Sequence, residues 1–272
     1  MATAVFFGTP AHGHTNPTLP LVRELVRAGE RVFYFSTDPF KERIEASGAI
    51  YLEYPRSDKL DTETPGKSLG FLYYELSRVT LAITDYLVAE VEKIRPDYVI
   101  HDALCLWGKN VASICGLPAV SSITTFAFSS QRVTLSMTLD FMRRNGLRGI
   151  AYCLKAISIQ AMIEKQHGTK GSDFVATMMN EEELNIVYTS RAFQPQAEQY
   201  PQSKYRFVGP SIGERKGDPD DGEYSTLSRP LVYFSLGTIW KGEANIESVI
   251  EAVSSLGYSL IISGVKGREG DG

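Results

Sequence analysis

The chain has 272 residues, 43% hydrophobic and 22% charged, with a net charge of −4, a balance that excludes a disordered chain and fits a soluble globular protein. At this length one large α/β domain plus part of another is expected. Acidic residues outnumber basic ones, 32 to 28, and Arg143, Arg144 and Arg148 cluster only locally, so the electrostatic footprint of a nucleic-acid binder is missing.

Residues 3–7 read as a first strand running into a Gly8-Thr9-Pro10 turn, without the basic and apolar regions of a signal peptide. After that turn, Asn16 is placed to cap a helix whose apolar face is Leu21, Val22, Leu25 and Val26, with Pro17 and Pro20 in its first turn and Gly29 at its end. Residues 31–36 form a second strand. Residues 53–70, rich in Pro, Asp and Thr, read as a long surface loop. A helix over 70–95 stops at Arg95-Pro96, because helical geometry is disfavoured before proline.

A strand at 98–101, a helix at 106–115 closed by Gly116 and a strand at 119–123 follow. Residues 151–183 carry a helical pattern and 185–189 a strand. The polar stretch 213–228 reads as the interdomain linker. A new βαβ unit then begins, with strands at 231–236 and 258–262 and a helix at 245–256. The glycine-rich residues 264–272 suit no final element. Short apolar runs alternating with amphipathic helices predict a parallel sheet covered on both faces. No segment reaches the roughly 18 consecutive apolar residues of a membrane span. Cys105, Cys115 and Cys153 form no CxxC pair, which points to a reducing compartment, the cytoplasm.

The most informative stretch is Gly8-Thr9-Pro10-Ala11-His12-Gly13-His14-Thr15-Asn16-Pro17, between the first strand and the first helix. In an open parallel sheet, ligands bind outside the carboxyl ends of strands. The dinucleotide glycine fingerprint is absent, and where a phosphate-binding loop would carry lysine the chain has His14. His12 and His14 have the spacing to present two imidazoles to zinc, although no HExxH or cysteine cluster completes the set. Asp102 ends the strand Tyr98-Val99-Ile100-His101-Asp102. Alone, such a carboxylate reads as a cap for the next helix; converging with a histidine, it would orient a general base. By strand alternation His101 points the other way and is structural, and His167 reads as a surface residue.

These motifs carry a resemblance. The run from Thr9 to Leu19, Asp102-Ala103-Leu104, Phe207-Val208-Gly209-Pro210 and Phe234-Ser235-Leu236-Gly237-Thr238 together resemble the UDP-glycosyltransferase superfamily, above all its bacterial macrolide and flavonoid glycosyltransferases. The similarity runs along nearly the whole chain. It implies an α/β protein of GT-B type: a Rossmann-like acceptor-binding domain over 1–210, a linker over 211–228, and over 229–272 the start of a second Rossmann-like, donor-binding domain. It implies inverting transfer of a sugar from a nucleotide diphosphate sugar to a hydroxyl of an apolar small molecule, with no metal. His14 is then the general base and Asp102 its orienting partner.

By the same resemblance Gly13, Thr15, Ser129, Ser235, Gly237 and Thr238 would serve the donor, while Phe126 and Phe128 would line the acceptor site. The expected donor is UDP-glucose, a co-substrate rather than a bound cofactor. Family members carry a further downstream segment with diphosphate- and sugar-recognising residues, so the chain by itself is expected to be inactive. Three readings follow: a transferase completed by that segment or by a second chain, an acceptor-binding module without transfer, and a metal-dependent hydrolase using the His-x-His pair.

Overall fold

The computed structural model of the chain describes residues 1–55, 68–129, 133–169, 175, 179–212, 227–237 and 246–263. Two compact units are present, Met1–Gly217 and Asp218–Gly272. The sequence-predicted linker falls almost wholly outside the described residues, as do Thr238, residues 264–272 and most of the predicted loop over 53–70.

The first unit is built on seven strands, all parallel. They are β1 (Thr3–Phe7), β2 (Arg31–Ser36), β3 (Ile50–Glu53), β4 (Tyr98–Asp102), β5 (Ala119–Ile123), β6 (Leu184–Val187) and β7 (Tyr205–Phe207), and they lie in the order β3-β2-β1-β4-β5-β6-β7. β1 is central, and its near-continuous apolar run is what a strand buried on both faces requires. Successive side chains leave opposite faces, so Val5 and Phe7 join a core with Ile83, Leu87 and Trp107, whereas Ala4 and Phe6 join one with Val22 and Ile44.

The helices follow from this two-sided sheet. On one face lie α1 (His12–Arg27) and α2 (Lys41–Ala46); on the other lie α3 (Leu69–Ile94) and α4 (Leu106–Cys115). α5 (Leu135–His167) packs on α3, so closely that a Cβ on Gly70 would lie 2.3 Å from the Gly149 carbonyl oxygen. α3 ends as the sequence predicts, with Arg95 in the left-handed region at φ 53° ahead of Pro96. The strands β1, β2 and β5 and the helix α4 also fall where predicted.

Other expectations need correction. α1 begins at His12 with Ala11 as its unassisted cap, so Asn16 caps nothing and Pro17 and Pro20 lie inside the helix. Capping preference yields here to tertiary contacts, since Thr15 and Thr18 are buried and Thr18 meets the Tyr34 hydroxyl at 2.9 Å. α5 starts at Leu135 rather than at residue 151, and it bends at Gly146, whose φ of 60° is left-handed. α2 and β3 are absent from the sequence reading, being too short for periodicity to mark. Among the described residues no helix is long and apolar enough to cross a membrane.

The second unit contains β8 (Leu231–Ser235) and β9 (Ser259–Ser263), parallel and in register from Leu231↔Ser259 to Ser235↔Ser263, with α6 (Ile246–Ser255) between them in the chain.

α4 is held tightly against the end of β4: a Cβ on Gly108 would sit 2.3 Å from the His101 Cβ and 3.3 Å from Phe7 Cδ2. Gly108→Ala gains at most about 1 kcal/mol of helix preference, and overpacking against a buried strand costs about 1–3 kcal/mol or more. A net loss of stability is therefore expected, read as a lower urea midpoint; a raised midpoint would contradict the close approach.

Candidate active site

A parallel sheet brings the carboxyl ends of its strands to one edge, and here the chain leaves β1 and β4 in opposite directions across the sheet. That crevice receives His14 from the first turn of α1, Asp102 from the end of β4 and Thr124 from the residue after β5. His14 Nδ1 lies 2.8 Å from Asp102 Oδ2 and 3.0 Å from Thr124 Oγ1.

Asp102 is fully buried, and its carboxylate is held by groups far apart in sequence. Oδ1 accepts from the Thr9 hydroxyl at 2.7 Å and from the Leu104 N–H at 2.9 Å. Oδ2 is left for His14. An ionised carboxylate can only accept, so the neutral imidazole donates from Nδ1 and carries its lone pair on Nε2. Among the described residues Nε2 has no hydrogen-bond partner, and the side chain is 19% exposed. The ring can therefore meet a molecule from outside. Behind the site, Asn180 Nδ2 donates to the Asp102 carbonyl at 3.1 Å.

Burial is the largest influence on His14 and lowers its pKa, but the charge of Asp102 and then its hydrogen bond outweigh burial, and the ring is held above its ordinary 6.5. Tyr34 and Tyr188 are pushed up chiefly by burial and also by the Asp102 charge. Both stay neutral near Asp102.

The remaining predicted residues divide. Gly13 is exposed in the first turn of α1, and a Cβ there would meet open space. Thr15 is buried with its hydroxyl directed to the Thr9 carbonyl at 3.3 Å. Ser129 is buried and donates to Glu181 at 3.2 Å. The hydroxyl that reaches His14 from this loop is Thr124, which sequence reasoning passed over although it is the first residue beyond β5. Thr9 was also missed, because its role depends on a carboxylate 93 positions away.

Phe126 and Phe128 line a cavity of about 140 Å³ together with Met137, Met179 and Tyr200. Drug-sized ligands need about 300 Å³ or more, so this space takes one edge of such a molecule. Its loop is pinned at Ala127, whose N–H donates to Gln194 Oε1 at 2.9 Å and whose carbonyl accepts from the Tyr200 hydroxyl at 2.8 Å. In the second unit Ser235 ends β8, and its Oγ accepts from the Gly237 N–H at 3.2 Å. Gly237 has a left-handed φ of 75°. Thr238 lies outside the described residues.

His12 packs edge-on against Phe40, with ring centroids 5.1 Å apart. His101 is buried and bonds Glu182 at 3.0 Å. His167, expected at the surface, is half-buried and pairs with Asp85 at 3.1 Å. Among the described residues no group of three His, Cys, Asp or Glu side chains could hold a metal ion.

No protein-family model matches the chain. It is 31% identical over 255 residues to the uncharacterized UDP-glucosyltransferase YojK of Bacillus subtilis, covering 89% of this chain and 60% of that protein. It is 30% identical to the NDP-glycosyltransferase YjiC of Bacillus licheniformis, covering 85% of this chain and 57% of the relative. To the oleandomycin glycosyltransferase of Streptomyces antibioticus it is 27% identical, covering 96% and 60%. The chain thus spans about 60% of the length of these relatives. Among solved structures, the glycotransferase of kitacinnamycin superposes with a TM-score of 0.79 at 20% identity, over 99% of this chain and 68% of that one. The calicheamicin glycosyltransferase gives 0.74 at 24% identity, over 97% and 66%.

Because the folded-state pKa of His14 is raised, its pairing contributes stability that is fully present below pH 6.5 and is lost as pH rises through the folded midpoint. In ring-labelled nuclear magnetic resonance, His14 is expected to titrate above 6.5. In Asp102→Asn it should titrate below that value, since burial then acts without the opposing charge. A midpoint unmoved by the substitution would refute this account.

Proposed function

We propose, from its sequence kinship with the UDP-glucosyltransferases and macrolide glycosyltransferases and from its GT-B-type α/β fold, that this chain serves inverting sugar transfer to a hydroxyl. The donor is a nucleotide diphosphate sugar, UDP-glucose being the first to test, and the acceptor is an apolar small molecule such as a macrolide or flavonoid. The observation that carries the reading is the His14 Nδ1 to Asp102 Oδ2 contact of 2.8 Å, which leaves Nε2 as a base at the ligand-binding edge of the sheet.

In this reading the acceptor hydroxyl gives its proton to Nε2 as its oxygen forms a bond to the anomeric carbon. The bond from that carbon to the diphosphate oxygen breaks, and the nucleoside diphosphate leaves with the electron pair. Attack from the opposite face inverts the anomeric centre. Asp102 stabilises the imidazolium that forms, as in other oriented-histidine sites. Phe126 and Phe128 offer apolar surface to the acceptor. For the donor, the turn at Ser235 and Gly237 suits close approach of a diphosphate to the backbone, and Gly13 leaves the start of α1 uncovered. Three unpaired cysteines support a reducing, cytoplasmic setting.

In a protein containing this chain that transfers sugar, His14→Ala should lower kcat/KM for an alcohol acceptor by about 100-fold or more, the usual worth of a general base. Phe126→Ala should chiefly raise the acceptor KM. Transfer at the parental rate by His14→Ala would remove the base from the mechanism. A chelator should leave the rate unchanged, and a strict divalent-metal requirement would favour the metal reading.

A further inference from the structure

Behind Asp102 lies a line of polar groups that the proposed reaction does not touch. Trp107, Tyr54, Cys105 and Thr9 are each no more than 2% exposed. Trp107 Nε1 donates to the Tyr54 hydroxyl at 3.1 Å, Cys105 Sγ lies 3.3 Å from Thr9 Oγ1, and Thr9 Oγ1 lies 2.7 Å from Asp102 Oδ1.

We infer that Thr9 is a positioning residue for His14, the middle link of a one-directional hydrogen-bond chain running Cys105, Thr9, Asp102. The carboxylate end fixes the direction. An ionised carboxylate can only accept. Thr9 therefore spends its one hydroxyl proton on Asp102 Oδ1, and the Cys105 thiol must donate to Thr9. Burial, with the Asp102 charge adding to it, holds the Cys105 thiol well above its ordinary pKa, so it stays a neutral donor rather than a reactive thiolate.

The consequence falls on the base. With Oδ1 occupied by Thr9 and the Leu104 N–H, Oδ2 is the oxygen presented to His14. Without the Thr9 hydroxyl the carboxylate loses one of its two anchors and turns more freely, so Nδ1–H loses its fixed acceptor. The titratable groups round the pair, Tyr34, Tyr54, Cys105 and Tyr188, are all raised by burial and remain neutral. None competes with Asp102 for the imidazolium.

The inference builds on the proposed base role of His14, but its test needs no sugar transfer. The chain has four histidines, so their ring nitrogens can be resolved by nuclear magnetic resonance in the 272-residue protein. The neutral His14 ring should be in the Nδ1–H form. Thr9→Val should shift part of it to the Nε2–H form and lower its pKa toward the ordinary value, while Thr9→Ser should restore both. An unchanged tautomer and pKa in Thr9→Val, or a raised pKa, would overturn the positioning role while leaving the base reading intact. A parental ring already in the Nε2–H form would overturn both. Should Thr9→Val fail to fold, the parental protein supplies the check through the Cys105 S–H infrared band, assigned by its loss in Cys105→Ala. A band lowered in frequency supports a donating thiol; one at the free-thiol position overturns the chain's direction.

Discussion

Asp102 carries its charge inside the protein with no lysine or arginine among its described partners, and the edge of the first unit is organised round that burden. A carboxylate taken out of water is costly unless its lone pairs are met. Here they are met by Thr9, the Leu104 N–H and His14, contributed by the turn after β1, the turn after β4 and α1. The same contacts that make the charge tolerable orient the imidazole, so structural and chemical requirements coincide at one residue.

This constraint explains why α1 departs from the usual rules of helix starts. The capping preference of Asn16 and the placement of Pro17 and Pro20 favour a later beginning. Starting the helix at His12 instead puts His14 in its first turn, 2.8 Å from Asp102, and turns Thr15 and Thr18 into the interior. Two prolines inside the helix forgo ladder hydrogen bonds, and the tertiary contacts of α1 outweigh that loss.

The loop after β5 shows how similar side chains take different parts. Thr124, at the strand end, reaches the imidazole, whereas Ser129, further along the same loop, is turned to Glu181. Between them, Gln194 and Tyr200 fasten Ala127 and hold the neighbouring phenylalanines at the rim of a small apolar cavity.

What the sequence determined by itself is the plan: the parallel α/β class, most strand positions, and the pairing of His14 with Asp102 as candidates. These rest on local signals, apolar runs with the period of buried strands and polar residues at strand ends, which a linear reading can see. Only the tertiary structure decided which groups surround that pair. Thr9 and Thr124 become partners because β1, β4 and β5 lie side by side in the sheet, and adjacency between strands far apart in the chain leaves no local trace. The same holds for Thr15 and Ser129: residue type fixes what bonds are possible, and the packing decides which is made, to the Thr9 carbonyl and to Glu181.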